Sequence, residues 1–450
     1  MGQLNKDDIH ALAESAEAEA TISASTEVVD VPNFWHNPHL RFNDKGDVLA
    51  PDIYALKWWL VHPDMGLSHV RYNLLSGTID AELLPWDQSP HSWTDTDTSY
   101  LLAEIQDKTN GLVRGEKNVM HALAIVANDQ RYDPLLDMLE GLDEWDGAPR
   151  ADTLLVDFLG AEDTPYTRAA TRHMLNGAVM RAYHPGCKFD EALVLSSVRQ
   201  GIGKSTLLRK LAMRDEFFTD NLGKISTKEG PENMQGCWFV EICELESVRK
   251  SDIETVKQFL SRQEDRYREA YGRFSKTRPR RCIFVGTTNS KSFLADRTGN
   301  RRFLPVACDV APPKLDIFSG DAKLHIEQAW AEVVHGYHEN GPFSLVLPNE
   351  VLELADEQRD LYSVADPKDG IISAWVTSNC KPGQRVCIIE ILECLFEIPR
   401  SEASKPSNKA MMNEISQILE TMPTMKRLKG RPTHSQKYGQ QRCWEYHPDG

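Results

Sequence analysis

The stretch "EALVLSSVRQGIGKSTLLRKLA", residues 191–212, decides the fold. An apolar run of strand length, "ALVLSS", leads into "VRQGIGK" and then into "STLLRKLA", whose Leu207, Leu208 and Leu211 recur at helical spacing. A phosphate-binding loop reads G-x-x-x-x-G-K-[ST]. Gly203, Lys204 and Ser205 fill its end, while Val198 stands where the first glycine is usual. Phosphate binding needs backbone N–H groups that converge on the anion, and a helix whose positive end faces it. It also needs a lysine for the β/γ-phosphates and a hydroxyl for Mg²⁺. Gly201, Ile202, Gly203, Lys204, Ser205 and Thr206 are therefore the candidate nucleotide-binding residues. The alternative is a strand–turn–helix without a ligand. The Gly-x-Gly-Lys-Ser-Thr run in its strand-to-helix setting argues against that.

Nucleotide hydrolysis requires more parts, and they follow in order. "CWFVEICELE" places Glu241 at the end of an apolar strand, as a candidate for the metal's ligand shell. Glu244 is the candidate for orienting the attacking water. Alternation along a strand would put the two on opposite faces, so the strand must end between them if both serve. "CIFVGTTNSKSF" is another buried strand with Thr287, Thr288 and Asn289 at its tip, and Asn289 can reach a terminal phosphate or the water. "GNRRFLPV" then sets Arg301 and Arg302 before a further apolar strand, a position that suits an arginine finger. Catalysis is thus expected from Lys204, Glu241, Glu244, Asn289 and one of Arg301 and Arg302, with ATP and Mg²⁺ as cofactors held partly by Ser205 and Glu241. Runs apolar on both faces, alternating with helical segments, predict an α/β fold built on a buried parallel sheet.

The five motifs "QGIGKSTLLRKLA", "WFVEICELE", "VKQFLSRQEDRYREAYGR", "RPRRCIFVGTTN" and "DRTGNRRFLPV" occur in this order. Together they resemble the virulence-associated protein E family of phage and bacterial mobile elements, a relative of superfamily 3 helicases within the AAA+ ATPases. The resemblance covers residues 130–310 well and the remainder loosely. It implies a P-loop ATPase that forms rings and acts on DNA when an element replicates. It also implies Glu241 and Glu244 as the acidic motif, Asn289 as the phosphate sensor, and Arg301 or Arg302 reaching into a neighbouring subunit. The segment "VKQFLSRQEDRYREAYGRFSKTRPRR" is then a hairpin that contacts DNA in the ring's channel.

Charge supports part of this on independent grounds. The net charge is −16, which argues against a nucleic-acid partner, yet residues 250–302 hold fourteen Lys or Arg against six acids. Such a local stripe is the footprint of phosphate contact. Lys257, Arg262, Arg266, Arg268, Arg273 and Lys276 are the candidate DNA-binding residues, with Tyr267, Tyr271 and Phe274 placed to stack on bases of a single strand. The alternative is a solvated helix face with pairs such as Asp265–Arg268. A second basic, aromatic patch, Lys426 to Tyr446, follows an amphipathic helix and suits a winged-helix module.

The composition, 41% hydrophobic and 26% charged, is that of a soluble globular chain. No apolar run is long enough to span a membrane, and the N-terminus lacks the pattern of a secretory signal. The nine cysteines are scattered without C-x-x-C spacing, which argues against zinc and fits a reducing cytoplasm, which the resemblance implies to be that of a bacterial or phage-infected cell. The expected organisation is a disordered acidic tail over 1–30, an α+β region over 31–130, and a helical segment over 131–190. The ATPase core spans 191–310, a helical region 311–375 and a winged-helix-like unit 376–450. The function expected is that of an ATP-dependent DNA helicase or translocase, a ring-shaped homo-oligomer expected to be a hexamer, acting on single-stranded or forked DNA. No primase site is evident, so a separate primase or replication-initiation protein would be a partner. A nucleotide-dependent loader without unwinding activity is the alternative. A small-molecule kinase would instead be a monomer indifferent to DNA.

Overall fold

The computed structural model describes residues 4–23, 33–223, 227, 229–243, 250–267, 275–294, 300–363, 367–403 and 405–448. The chain starts with a helix, α1 (Lys6–Ser23), within the stretch expected to be a disordered tail. Two local features account for this departure. Asn5 Oδ1 accepts from the N–H groups of Asp7 and Asp8 at 2.9 Å, and Ile9 and Ala13, one turn apart, bury against Phe34, Trp35 and Trp59. That core is shared with α2 (Ile53–Leu60), the antiparallel strands β1 (Val70–Tyr72) and β2 (Ile79–Ala81), and the helices α3 (Asp95–Lys108) and α4 (Glu116–Asp129), while β3 (His91–Ser92) pairs with β2. Capping fixes the helix starts: Asp52 begins α2, and a Thr94/Asp97 capping box begins α3.

Three helices lead into the sheet: α5 (Pro134–Glu140), α6 (Leu154–Leu159) and α7 (Pro165–Tyr183). The last follows the sequence reading, with Thr164 as cap and Pro165 in its first turn. Gly177 of α7 has no room for a side chain, because a Cβ there would lie 2.3 Å from the Phe189 ring.

The core runs β4 (Ala192–Ser196), α8 (Lys204–Leu211), β5 (Phe218–Thr219), α9 (Glu229–Asn233), β6 (Phe239–Ile242), α10 (Lys250–Leu260), β7 (Glu264–Tyr267), β8 (Lys276–Pro279), β9 (Ile283–Thr288) and β10 (Phe303–Ala307). Five of these strands form one parallel sheet in the order β10-β4-β9-β6-β5. The chain winds from β4 to the far edge, returns to β9, and crosses to the other side of β4. β4 is thus where the strand order reverses, and in open α/β sheets ligands bind beyond the carboxyl ends of the strands at such a point. Alternate residues face opposite layers. Leu193, Leu195, Val285 and Leu304 pack with α7 and α8, whereas Val194, Val240, Phe284 and Phe303 pack with Val256, Phe259 and Leu260 of α10.

α11 (Asp321–Asn340) and α12 (Asn349–Leu361) follow. α11 closes the first layer: Trp330 Nε1 donates to Leu211 O at 3.0 Å, and its ring lies 4.6 Å from that of Trp238. The last unit comprises α13 (Pro367–Asn379), β11 (Arg385–Cys387), α14 (Ile388–Cys394), α15 (Lys409–Thr421), β12 (Met425–Arg427), β13 (Thr433–Ser435), β14 (Gly439–Gln440) and β15 (Cys443–Tyr446). Its sheet β11-β15-β12 is antiparallel, and the small β13–β14 ladder lies within the connection from β12 to β15. This is the element order of a winged helix. The unit starts before the expected residue 376, because Ile372 and Val376 of α13 share its core with Ile415, Leu419 and Trp444.

Between α10 and β9, the basic stretch forms an antiparallel ribbon, β7 against β8, rather than one helix face. Arg268, the expected partner of Asp265, lies outside the described residues. Asp265 takes a two-pronged bond from Arg280, with Nε and Nη2 at 2.6 and 2.8 Å, and both side chains are buried. The Arg280 guanidinium also lies 4.3 Å from the Phe259 ring centre. Removing one partner of such a pair strands the other in a dry site. Asp265→Ala is therefore expected to cost about 3–5 kcal/mol in denaturant unfolding, and Lys323→Ala, at the exposed partner of half-buried Glu327, less than about 1 kcal/mol.

Candidate nucleotide-binding site

Gly201 and Gly203 both adopt left-handed backbone, with φ of 74° and 93°, where other residues are strained. Gly203 has a second reason to lack a side chain, since a Cβ would meet Ile317 Cγ2 at 3.0 Å. α8 starts immediately afterwards with no side-chain cap. Its first N–H groups therefore remain available for an anion. Val198 needs no glycine: its φ is not positive and its side chain is 67% exposed. The residue missing from the standard pattern is one the backbone does not require.

Lys204 Nζ, on a largely buried side chain, donates to Asn289 Oδ1 at 2.8 Å. The loop lysine and the strand-tip asparagine, 85 residues apart in sequence, thus face one space. Ser205 Oγ donates to Glu241 Oε1 at 2.7 Å, and Thr287 Oγ1 donates to the same oxygen at 2.6 Å. Glu241 is 0% exposed, and its Oε2 has no hydrogen-bond partner among the described residues. An orphaned, buried carboxylate oxygen beside a serine hydroxyl is a donor set of hard oxygens, which suits Mg²⁺. Strand β6 ends at Ile242, so the alternation that would oppose Glu241 and Glu244 stops before Glu244. Glu244 itself lies outside the described residues.

Lys204, Ser205, Thr287 and Asn289 line a cavity of about 520 Å³ together with Gln200, Gly201, Ile202, Gly203, Thr206, Cys243 and Phe318, and Glu241 lies behind Ser205 and Thr287, which donate to it. Close behind it, burial pushes the Cys308 thiol up to about 12 despite the nearby Lys204 charge. Cys308 thus stays neutral and does not compete with a phosphate for the lysine. Sequence reasoning did not single out Cys243, Gln200 or Phe318 as lining residues. Thr287 was legible only as a polar strand tip.

The two arginines part company. Arg302 is held within its own chain: Nε donates to Ser261 Oγ at 2.8 Å and lies 3.6 Å from Asp190 Oδ2. Arg301 is exposed and makes no hydrogen bond or ion pair with a described residue. Among the candidate DNA contacts, Arg262 and Arg266 are exposed, as is Lys276. Arg266 opposes Thr277, and Lys276 opposes Tyr267, so the two cations stand on opposite faces of the ribbon. Arg268 and Arg273 lie outside the described residues. Lys257 must be taken off the surface: on α10 it faces the core and is 2% exposed.

The virulence-associated protein E-like domain model matches residues 139–364, just over half of the 450-residue chain. The chain belongs to this family. The matched VapE-like domain runs from the end of α5 to just beyond α12 and so contains the whole parallel sheet, while the N-terminal and winged-helix-like units lie outside it. No curated protein matches the sequence. The chain is similar to the apo structure of the NrS-1 C-terminal region, at 12% identity and a TM-score of 0.42, over 84% of this chain and 95% of that one. It is also similar to the A form apo structure of the same region, at 11% identity and a TM-score of 0.44, over 88% and 99% of the two chains. Among the described residues, no helix is long and apolar enough to cross a membrane.

Two substitutions separate the contributions within the loop. Lys204→Ala is expected to abolish ATP hydrolysis. Val198→Gly, at an exposed position without backbone strain, is expected to change nucleotide affinity no more than about twofold. Titration calorimetry and phosphate release measure both. A large gain from Val198→Gly would mean that the native loop is degenerate.

Proposed function

We propose that the chain is an ATP-dependent DNA helicase or translocase of a phage or mobile element, of AAA+ superfamily 3 type, working as a ring-shaped oligomer during replication. The observation that carries the reading is the convergence of Lys204, Ser205, Thr287 and Asn289 on one cavity at the reversal point of the sheet, with Glu241 hydrogen-bonded to Ser205 and Thr287 behind it.

In this reading Lys204 leaves Asn289 Oδ1 for the β/γ-phosphates, and the backbone of Gly201–Thr206 cradles them. Ser205 and Glu241 would hold Mg²⁺, and such an ion would supply positive charge to the phosphate oxygens. Asn289, released from Lys204, can then hydrogen-bond the terminal phosphate or the attacking water, and Glu244 orients that water. Arg301 is the finger, offered to the site of a neighbouring subunit, because its side chain has no partner among the described residues whereas Arg302 is tied to Ser261. The ribbon carrying Arg266 and Lys276 supports the DNA reading, since Lys and Arg neutralise phosphates without reading sequence.

The finger predicts complementation. Arg301→Ala alone should lower hydrolysis about a thousandfold or more. Mixing it with Lys204→Ala should restore part of the DNA-stimulated activity, because each chain supplies what the other lacks. No recovery, or recovery only with Arg302→Ala, contradicts the assignment. Strand displacement measured beside hydrolysis separates the two functions: stimulated hydrolysis without displacement marks a loader, and hydrolysis indifferent to DNA contradicts both.

A further inference from the structure

The segment after β10 returns across the phosphate loop before α11 begins. Its backbone is held at several points. The N–H groups of Asp309 and Leu315 donate to Leu159 O and Asp157 O, at 2.8 and 2.9 Å. The Phe318 N–H donates to Asp316 Oδ1 at 2.9 Å, and the Ser319 N–H donates to Asp316 O at 3.0 Å. Ile317 is 3% exposed, packed into the core beneath the loop. Phe318, between these fixed points, is 68% exposed. A single exposed aromatic ring is ordinary on a protein surface; what sets Phe318 apart is the fixed backbone beneath it and where the ring stands.

The place of that ring narrows the choice. Phe318 lines the same cavity as Lys204, Ser205 and Thr206, and its Cζ lies 4.0 Å from the point a Gly203 Cβ would occupy. The phosphate end of the cavity is supplied with N–H groups, an ammonium and hydroxyls. A phenyl ring offers a phosphate nothing. What it offers is a flat apolar face, and the part of a nucleotide that matches it is the base.

We propose that Phe318 is the platform on which the base of the bound nucleoside triphosphate stacks, and that this contact makes the site favour purines over pyrimidines. The inference rests on the nucleotide reading of the phosphate loop and extends it to the other end of the ligand. Stacking scales with the overlapping π-surface and needs no hydrogen-bond code, so it discriminates by ring size rather than by base edge.

The test is titration of the full-length chain with ATP, CTP and inorganic tripolyphosphate in the presence of Mg²⁺. The wild type, Phe318→Ala and Phe318→Trp are compared. The wild type should bind ATP more tightly than CTP. Phe318→Ala should weaken ATP roughly five- to hundredfold, narrow the gap between ATP and CTP, and leave tripolyphosphate unchanged. Phe318→Trp should retain the wild-type pattern. Equal ATP affinity in Phe318→Ala overturns the proposal. So does an equal loss of ATP and tripolyphosphate, which would make the residue a support of the loop. Altered sedimentation with unchanged ATP affinity also overturns it and assigns the ring to a subunit contact. A wild-type chain that binds neither ATP nor tripolyphosphate refutes the nucleotide reading itself.

Discussion

A single carboxylate oxygen, Glu241 Oε1, accepts hydrogen bonds from two hydroxyls that belong to different parts of the chain, Ser205 on the loop helix and Thr287 on the neighbouring strand. The carboxylate is wholly buried. Burial of a charge is expensive unless it is hydrogen-bonded or coordinated. Its second oxygen, without a protein partner among the described residues, leaves this compensation incomplete. The arrangement therefore favours a cation at that point. It also demands that α8 begin at the level where β6 and β9 end, so the parallel register of the sheet, which sets Glu241 beside Val285, becomes a requirement of the site.

The surrounding packing meets that requirement. Trp238 directly precedes β6 and donates to Ala178 O of α7, while Trp330 of α11 donates to Leu211 O of α8. Helices from three parts of the sequence are thereby pinned to the sheet face behind the loop. On the opposite side, Arg280 ties the foot of the β7–β8 ribbon to Asp265 and to the Phe259 ring of α10. The next arginine along, Arg278, donates from Nη1 to Ser76 O in the turn between β1 and β2. That turn carries Gly77 at a φ of 71°, where a Cβ would lie 1.9 Å from Arg278 Nη1. The N-terminal unit thus grips the root of the ribbon whose outer cations are the DNA candidates.

Much of the core was legible because its signals are local. A glycine–lysine–serine turn between an apolar run and a leucine-spaced helix has few other uses, and the acidic and Asn-tipped strands carry their polar residues at predictable ends. Features that depend on distant partners were not legible. Strand β5 is two residues long and has no periodicity to read. Lys257 looks like a surface cation in a basic run, and only the packing of α10 turns it inward. Helix α1 looks too polar to fold, but Ile9 and Ala13 suffice once Trp35 and Trp59 provide a surface. Phe318 is 114 residues from Lys204 in sequence, and no motif links them. The choice between Arg301 and Arg302 likewise turns on Ser261, some 40 residues upstream.

The proposed site binds Mg²⁺ and a nucleotide and is completed by a neighbouring copy of the chain. The most direct measurement is electron microscopy of the protein with a non-hydrolysable ATP analogue, Mg²⁺ and single-stranded DNA. The expected result is a closed ring, with nucleotide between the loop of one subunit and Arg301 of the next, and DNA density against the β7–β8 ribbons. Monomers with an occupied loop, or rings in which Arg301 faces solvent and the cavity is empty, would contradict it.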